Sequence, residues 1–381
     1  MTRIAFASDL HVDSYGQRID PETRLNARLV DFLKTTAFVA EDAVRRECVA
    51  LAILGDFTER RHPAPWLVSR IRSALAGGPD RQIYLRGNHD GEVAGGSIVS
   101  VLDDGQGKDA VRTGVSRPGL EVVAFDLVLA CIPHLDRHWL RAQPGFETVP
   151  DADLFRILAE QFVTMAAGLY AEARRDYPDA ACVLVCHATL SGGRMNETQQ
   201  AFLGDLSLVV DSRALQSIGF EAVVAGHLHR HQLVIPGEHP VLYTGSVERV
   251  DFGEALEQKG FIVADVAPGR FDWEFVETPA RRFVTLTSPR PDDAFNVQDA
   301  VVRAIDVDPD VDGAELRRVL EADGAFEIQE IRRARPESTV AVGGLSESLS
   351  ADQALAAYFT DTPDAEPIVA RGREILTAVA A

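Results

Sequence analysis

The sequence predicts an α/β protein with more than one sheet, and three observations carry that expectation. Apolar runs of strand length alternate with longer segments whose apolar residues recur at helical spacing. Five strand-like runs stop abruptly at polar residues, as strands do where open α/β sheets collect ligands outside their carboxyl ends. Further runs, Val122 to Phe125 and Leu127 to Ile132, are rich in β-branched and apolar residues and read as buried strands of a second sheet.

Taken in order, Ile4 to Ser8 is the first strand, and apolar positions from Leu25 to Val44 mark a long helix returning to a second strand at Leu51 to Leu54. This is a βαβ unit. Trp66 to Leu75 is helical and closes at Gly77-Gly78-Pro79, before a third strand, Ile83 to Leu85. A Gly-rich stretch to Gly107 mixes short helix and loop. Asp151 can cap a helix bearing Leu154, Leu158, Phe162, Met165 and Leu169, which leads into the strand Ala181 to Cys186. Residues 188–210 form a long connection, and strands follow at Ala222 to Ala225, His231 to Ile235, Val241 to Thr244 and Gly260 to Val266. The expected boundaries are 1–276 for the main domain, 277–348 for a smaller α/β capping domain and 349–381 for a helical tail. Within the cap, Phe283 to Thr287 and Phe326 to Ile331 read as strands, and Val297 to Ala304 and Ala314 to Ala322 as helices. Ala351 to Phe359 and Ile368 to Ala380 read as helices of the tail.

With 381 residues, 46% hydrophobic and 25% charged, the chain can bury a sizeable core. No apolar run approaches the about 20 residues that span a bilayer. Met1-Thr2-Arg3 enters a strand directly, so no signal peptide and a cytoplasmic location are expected. The four cysteines lack metal-type spacing and read as reduced core residues. A formal charge of −20 argues against strong autonomous binding to a polyanion, since nonspecific affinity for nucleic acid comes from Lys and Arg. It does not exclude a local basic surface.

The chemistry lies at the strand ends: Asp9-Leu-His11, Gly55-Asp56, Gly87-Asn88-His89-Asp90, His187 and Gly226-His227-Leu-His229. Two Asp, one Asn and several His on converging loops suit a binuclear site for Mn²⁺, Fe²⁺ or Zn²⁺. Asp56, alone after its glycine, is the candidate to bridge two ions. His62, His134, His138, His231 and His239 fall outside the pattern and are expected at the surface or in the core.

The ordered set resembles the calcineurin-like metallophosphoesterase superfamily, which implies a two-sheet sandwich flanked by helices. The resemblance implies that Asp9, His11, Asp56 and His229 hold one metal and Asp56, Asn88, His187 and His227 the other. His89 would protonate the leaving oxygen, with Asp90 as its orienter. The following stretch, Tyr243-Thr-Gly-Ser, Glu248-Arg-Val-Asp-Phe-Gly-Glu254 and Lys259-Gly-Phe261, is similar to the SbcD-type DNA-repair exonucleases, with Arg281-Arg-Phe283 opening a capping domain.

That family implies a Mn²⁺-dependent 3′-to-5′ exonuclease and endonuclease acting on DNA ends in repair and recombination. It implies a homodimer, with dimer helices after Asp56 and after Asp90, and an SbcC-type coiled-coil ATPase partner on the Ala-rich tail. Phosphodiesterase or phosphatase action on small phosphoesters is the alternative. Glu59 stands where many members carry Asp or His, and Arg60 where superfamily phosphoprotein phosphatases have a phosphate-contacting arginine.

Overall fold

The computed structural model describes residues 1–91, 97–103, 111–195, 198–199, 208–334 and 366–379. Two six-stranded sheets face each other. The first is built from β1 (Thr2–Ala7), β2 (Ala50–Ile53), β3 (Arg81–Leu85) and β4 (Val111–Val115), with β13 (Gly260–Ala267) and β14 (Arg270–Glu277) on the far side of β1. The second contains β5 (Gly119–Ala124), β6 (Leu127–Ile132), β7 (Ala181–His187), β10 (Val223–Gly226), β11 (Gln232–Ile235) and β12 (Val241–Tyr243), in the order β11-β12-β10-β7-β6-β5.

Side-chain alternation along each strand explains the layering. In β1, Ile4 and Phe6 point into the layer between the sheets, where Leu54, Leu85, Leu129, Val183, Val224 and Ile262 join them. Ala5 and Ala7 face the other way, against Leu29, Phe32, Val39 and Ile71. Those residues belong to α1 (Ala27–Arg45) and α2 (Pro65–Leu75). On the outer face of the second sheet, Leu154, Leu158 and Phe162 of the helix Asp151–Asp176 pack on Ala130, Leu184 and Ala225. Helix, sheet, sheet, helix is therefore the order of layers, which is the two-sheet α/β sandwich expected. Cys48, Cys131, Cys182 and Cys186 are all buried and unpaired.

Register sets the site. β1, β2 and β3 are parallel, with Ala7 opposite Ile53 and Ile53 opposite Tyr84, so the three strands end level. In the second sheet His187 lies opposite Gly226. Backbone bonds carry the alignment past the strands: Asp9 N donates to Gly55 O at 2.9 Å and His11 N to Asp56 O at 3.0 Å.

A smaller parallel sheet, β15 (Phe283–Thr287), β16 (Val301–Val307) and β17 (Glu327–Arg333), packs against the helix Gly313–Ala322. Here one expectation is corrected, because the segment read as a helix from Val297 to Ala304 runs into the central strand β16. Val297, Ala300, Val301 and Ala304 mimic helical spacing, but Val297 and Ala300 lie in the chain leading to the strand and only Val301 and Ala304 belong to it. Val301, Val302 and Ala304 are all fully buried.

Two smaller corrections concern helix and loop ends. Pro150, not Asp151, occupies the cap position of the long helix, and Asp151 is its first residue. The connection 188–210 is pinned at both ends by a two-stranded ribbon, β8 (Thr189–Leu190) with β9 (Val209–Val210). The Gly-rich stretch contributes the short helix Ile98–Leu102, and its other described residues are loop. In the tail, Glu366–Val379 is helical, while Ala351 to Phe359 lies outside the described residues. Among the described residues, no helix is long and apolar enough to cross a membrane.

Candidate metal centre

The strand-end residues converge on a cavity of about 240 Å³ lined by His11, Asp56, Asn88, His89, His227 and His229. Reaching it costs backbone strain. Asp9, His11, Asp56 and His227 all adopt left-handed φ values, 52°, 42°, 56° and 99°. Non-glycine residues held this way concentrate where surrounding structure and function over-determine them. Gly55 turns the chain at φ +101°, and a Cβ there would stand 2.4 Å from His187 Nδ1, so the Gly-Asp pair needs its glycine.

Three groups of donor atoms form among the described residues, one of them His11, Glu59 and His89. Asp9, His11 and His229 each place one ligand-type atom within 4.8 Å of the others, and Asp56, His187 and His227 do the same. Asp56 Oδ2 is 3.2 Å from His187 Nε2 and 3.8 Å from His11 Nε2, which sets this carboxylate between these last two groups. Asn88 Oδ1 lies 2.9 Å from both His187 Nε2 and His227 Nδ1. Asp9 also accepts from His227 N at 3.0 Å, tying the first strand end to the last. All seven expected ligands are thus brought together.

The hydrogen-bond pattern tests whether cations fit here. His11 Nδ1 faces Glu59 Oε2 at 2.9 Å, and His229 Nδ1 faces Glu254 Oε1 at 2.5 Å. Each carboxylate calls for a proton on Nδ1, which leaves the two Nε2 atoms as lone pairs 3.0 Å apart. His187 Nδ1 likewise meets Leu54 O at 2.7 Å, turning its Nε2 lone pair towards Asn88 Oδ1 and Asp56. Acceptors facing acceptors need a proton or a cation between them. The carboxylate–imidazole pairs are the outer support that metal-binding histidines usually have. The donor set therefore fits two divalent ions.

Electrostatics agree. Burial opposes charge on His187, but Asp56 overrides it and lifts the imidazole to about 9. Asp56 itself is held well below the carboxylate range, because His187 and His11 outweigh its desolvation. His227, with burial and then His187 against its charge, falls to about 3. Glu59 is held near 2 chiefly by its close contact with His11.

Asp90 corrects an expectation. Its carboxylate does not reach His89 but accepts the backbone N–H groups of Asp56 (2.8 Å), Phe57 (2.8 Å) and Gly87 (2.7 Å). It clamps two site loops together. His89 is oriented instead by Glu59, whose carbonyl lies 2.8 Å from His89 Nδ1 and whose carboxylate lies 3.7 Å from it.

Four participants escape the strand-end pattern. Glu59, in sequence only a departure from the commoner Asp or His, supports both His11 and His89. Glu254, in the Glu248-to-Glu254 run, supports His229 and is itself held by Lys259 at 3.0 Å. Gln199 accepts from His229 N at 3.3 Å and donates to His227 O at 3.1 Å. His134 packs its ring 6.1 Å from both His187 and His227, and burial lowers it to about 3. It follows β6 by two residues, so the rule that finds the others, polar residues just past a buried strand, could have found it too. Arg60 pairs with Asp13 at 2.9 Å, at the site's edge.

Among solved structures, a dimetal phosphatase from Danio rerio aligns at 11% identity over 73% of this chain and 97% of that one, with a TM-score of 0.48. GAP50, the anchor in the inner membrane complex of Plasmodium, aligns at 12% over 88% and 98%, with a TM-score of 0.41. An archaeal phosphodiesterase aligns at 11% over 72% and 100%, with a TM-score of 0.34. No curated protein matches the chain. Residues 2–231, more than half of the sequence, match the calcineurin-like phosphoesterase family. The chain belongs to that family and is a metal-dependent phosphoester hydrolase.

Proposed function

We propose that the chain is a DNA nuclease of the SbcD type, cutting phosphodiester bonds at DNA ends with two divalent ions, Mn²⁺ first among them. The observation that carries this reading is the run from Glu248 to Lys259, in which Glu254 and Lys259 act beside the site and Glu248 at the entry to the smaller sheet. Glu254 supports His229, and Lys259 Nζ reaches Glu254 Oε2 at 3.0 Å and His229 O at 3.1 Å. Glu248 accepts from Arg281 N at 3.0 Å and from the fully buried Arg28 at 3.4 Å, where the chain enters the smaller sheet. The order of motifs and the α/β unit after them support this reading.

Asp9, His11, Asp56 and His229 would hold one ion and Asp56, Asn88, His187 and His227 the other. Such ions lower the pKa of a bound water towards neutrality and stabilise charge on phosphate oxygens. The protein's own contribution is positioning. Glu59 and Glu254 fix the tautomers of His11 and His229, and Leu54 O fixes that of His187. His89 lines the cavity with Nδ1 engaged by Glu59 O, which leaves Nε2 to protonate the departing sugar oxygen.

Two partners complete the reading. A homodimer through α2 and the helix Ile98–Leu102 would cover Trp66 and Val101, which are 51% and 55% exposed. An SbcC-type ATPase on the helix Glu366–Val379 would supply DNA affinity to a chain of net charge −20. The test is cleavage of end-labelled DNA with Mn²⁺ or Mg²⁺, with and without chelator. Chelator-sensitive shortening is expected. Hydrolysis of a small diester or monoester, with no cut in single- or double-stranded DNA, would establish the phosphodiesterase or phosphatase alternative.

A further inference from the structure

Beside the metal pocket lies a second cavity of about 650 Å³, lined by Met195, Arg230, His231, Phe252, Leu256 and Arg303 among others. The short 3-10 turn Phe252–Glu254 is the wall between them. Its Glu254 side faces the metal pocket, together with Asp251, while Phe252 and Gly253 face the groove. Arg230 likewise follows the metal-site His229 directly, so both walls of the groove are continuous with the site.

The groove alternates cationic and apolar surface. Arg230 is exposed, and neither it nor Arg303 has a carboxylate partner among the described residues. Arg303 is held in place by Nε donating to Thr285 Oγ1 at 2.9 Å and by its guanidinium lying 4.6 Å over the Phe252 ring. The carboxylates nearby are already committed: Asp251 caps its own turn, and Glu257 pairs with Lys259 Nζ at 2.9 Å. Leu256 is fully exposed at the groove, next to Met195 and Phe252. Guanidinium groups without carboxylate partners, set beside apolar side chains, suit a phosphodiester backbone whose bases seek a surface to lie on. A small phosphoester would end in the metal pocket and leave this groove idle.

We propose that this groove holds the polynucleotide strand continuing from the phosphate at the metal centre, with a neighbouring phosphate at Arg230 and Arg303 and the adjoining base against Leu256 and Met195. The inference rests on the nuclease reading and names where that substrate extends. It also places local positive charge on an acidic chain, at a flank of the site where a strand would need it.

The test compares an end-labelled single-stranded oligonucleotide with bis(p-nitrophenyl) phosphate, both with Mn²⁺, for wild type, Arg230→Gln, Arg303→Gln, the double variant and Leu256→Ser. The double variant should lose kcat/KM on the oligonucleotide about tenfold more than on the small diester, through KM, and its log–log salt slope should fall by about 0.7, the share of one phosphate on a single strand. Leu256→Ser should raise the oligonucleotide KM about threefold without changing that slope. Equal losses on both substrates, or a wild-type KM and salt slope for the oligonucleotide, would overturn the groove while leaving the nuclease reading intact. Wild-type protein that hydrolyses the diester but no oligonucleotide overturns the nuclease reading, and the groove with it.

Discussion

Asp56, His89 and Glu59 sit within one pocket yet should fail in different ways when replaced. Asp56 Oδ2 faces both histidine groups, so Asp56→Ala should empty the pair of ions, seen as loss of bound metal by elemental analysis of purified protein. His89 groups with His11 and Glu59 but with neither Asp9 nor the bridging candidate Asp56, so it stands outside the two sets of expected ligands. His89→Ala should therefore keep its metal and lose turnover by about 10²- to 10⁴-fold, the range of general acid catalysis. Equal loss of metal and turnover would refute the proton-donor role. Glu59→Gln retains a group able to meet His11 but removes the charge that fixes its tautomer, and a loss of about 10- to 100-fold in activity or metal affinity is expected. Intact activity in Glu59→Gln would show that the His11 contact is dispensable.

At the scale of the elements, the site is a consequence of strands that end level and loops that are clamped. Asp90 takes three buried backbone N–H groups from two loops, and burial beside Asp56 lifts its carboxyl to about 6. Removing it strands those donors at about 1–3 kcal/mol each. Asp90→Ala should thus lower thermal stability by several degrees as well as activity, whereas a residue acting only on His89 would leave the melting temperature unmoved. This contrast shows what a sequence can disclose. Asp9, Asp56, Asn88, His187 and His227 are legible because packing alone rarely halts a buried run at a cluster of polar residues. The partner of Asp90 is not, since adjacency to His89 in sequence says nothing about a carboxylate whose acceptors are filled from 33 and 34 residues away. Glu59 and Glu254 meet their histidines through the turns that follow the motifs, and turn geometry has no periodicity to read. The misread strand β16 fails for another reason: the buried Val297 and Ala300 of the preceding loop run on from Val301 and Ala304 and complete a helical spacing across two elements.

For the whole molecule, the site couples metal content, protons and stability. Without metal, His187 has a folded-state value of about 9 against an ordinary 6.5, with Asp56 overcoming burial. A raised value stabilises the fold fully below pH 6.5, and that contribution is lost as pH rises through 9; the shift corresponds to about 3 kcal/mol. His229, also raised through Glu254 against its burial, acts in the same direction. His227, lowered to about 3, acts oppositely: its neutral burial becomes a liability as pH falls below 6.5. Chelated protein should therefore be most stable near pH 6.5 and lose melting temperature from there to pH 9. A ligating histidine must be neutral, so loading at pH 7.5 has to expel the His187 proton, and affinity should rise with pH. Calorimetric titration of chelated protein with Mn²⁺, in two buffers of different ionisation enthalpy, should count about one or more protons released per protein at pH 7.5 and fewer above pH 9. The gap in melting temperature between loaded and chelated protein should widen over the same interval. Metal uptake without proton release, or a gap that does not depend on pH, would mean that His187 is not where the ion displaces a proton.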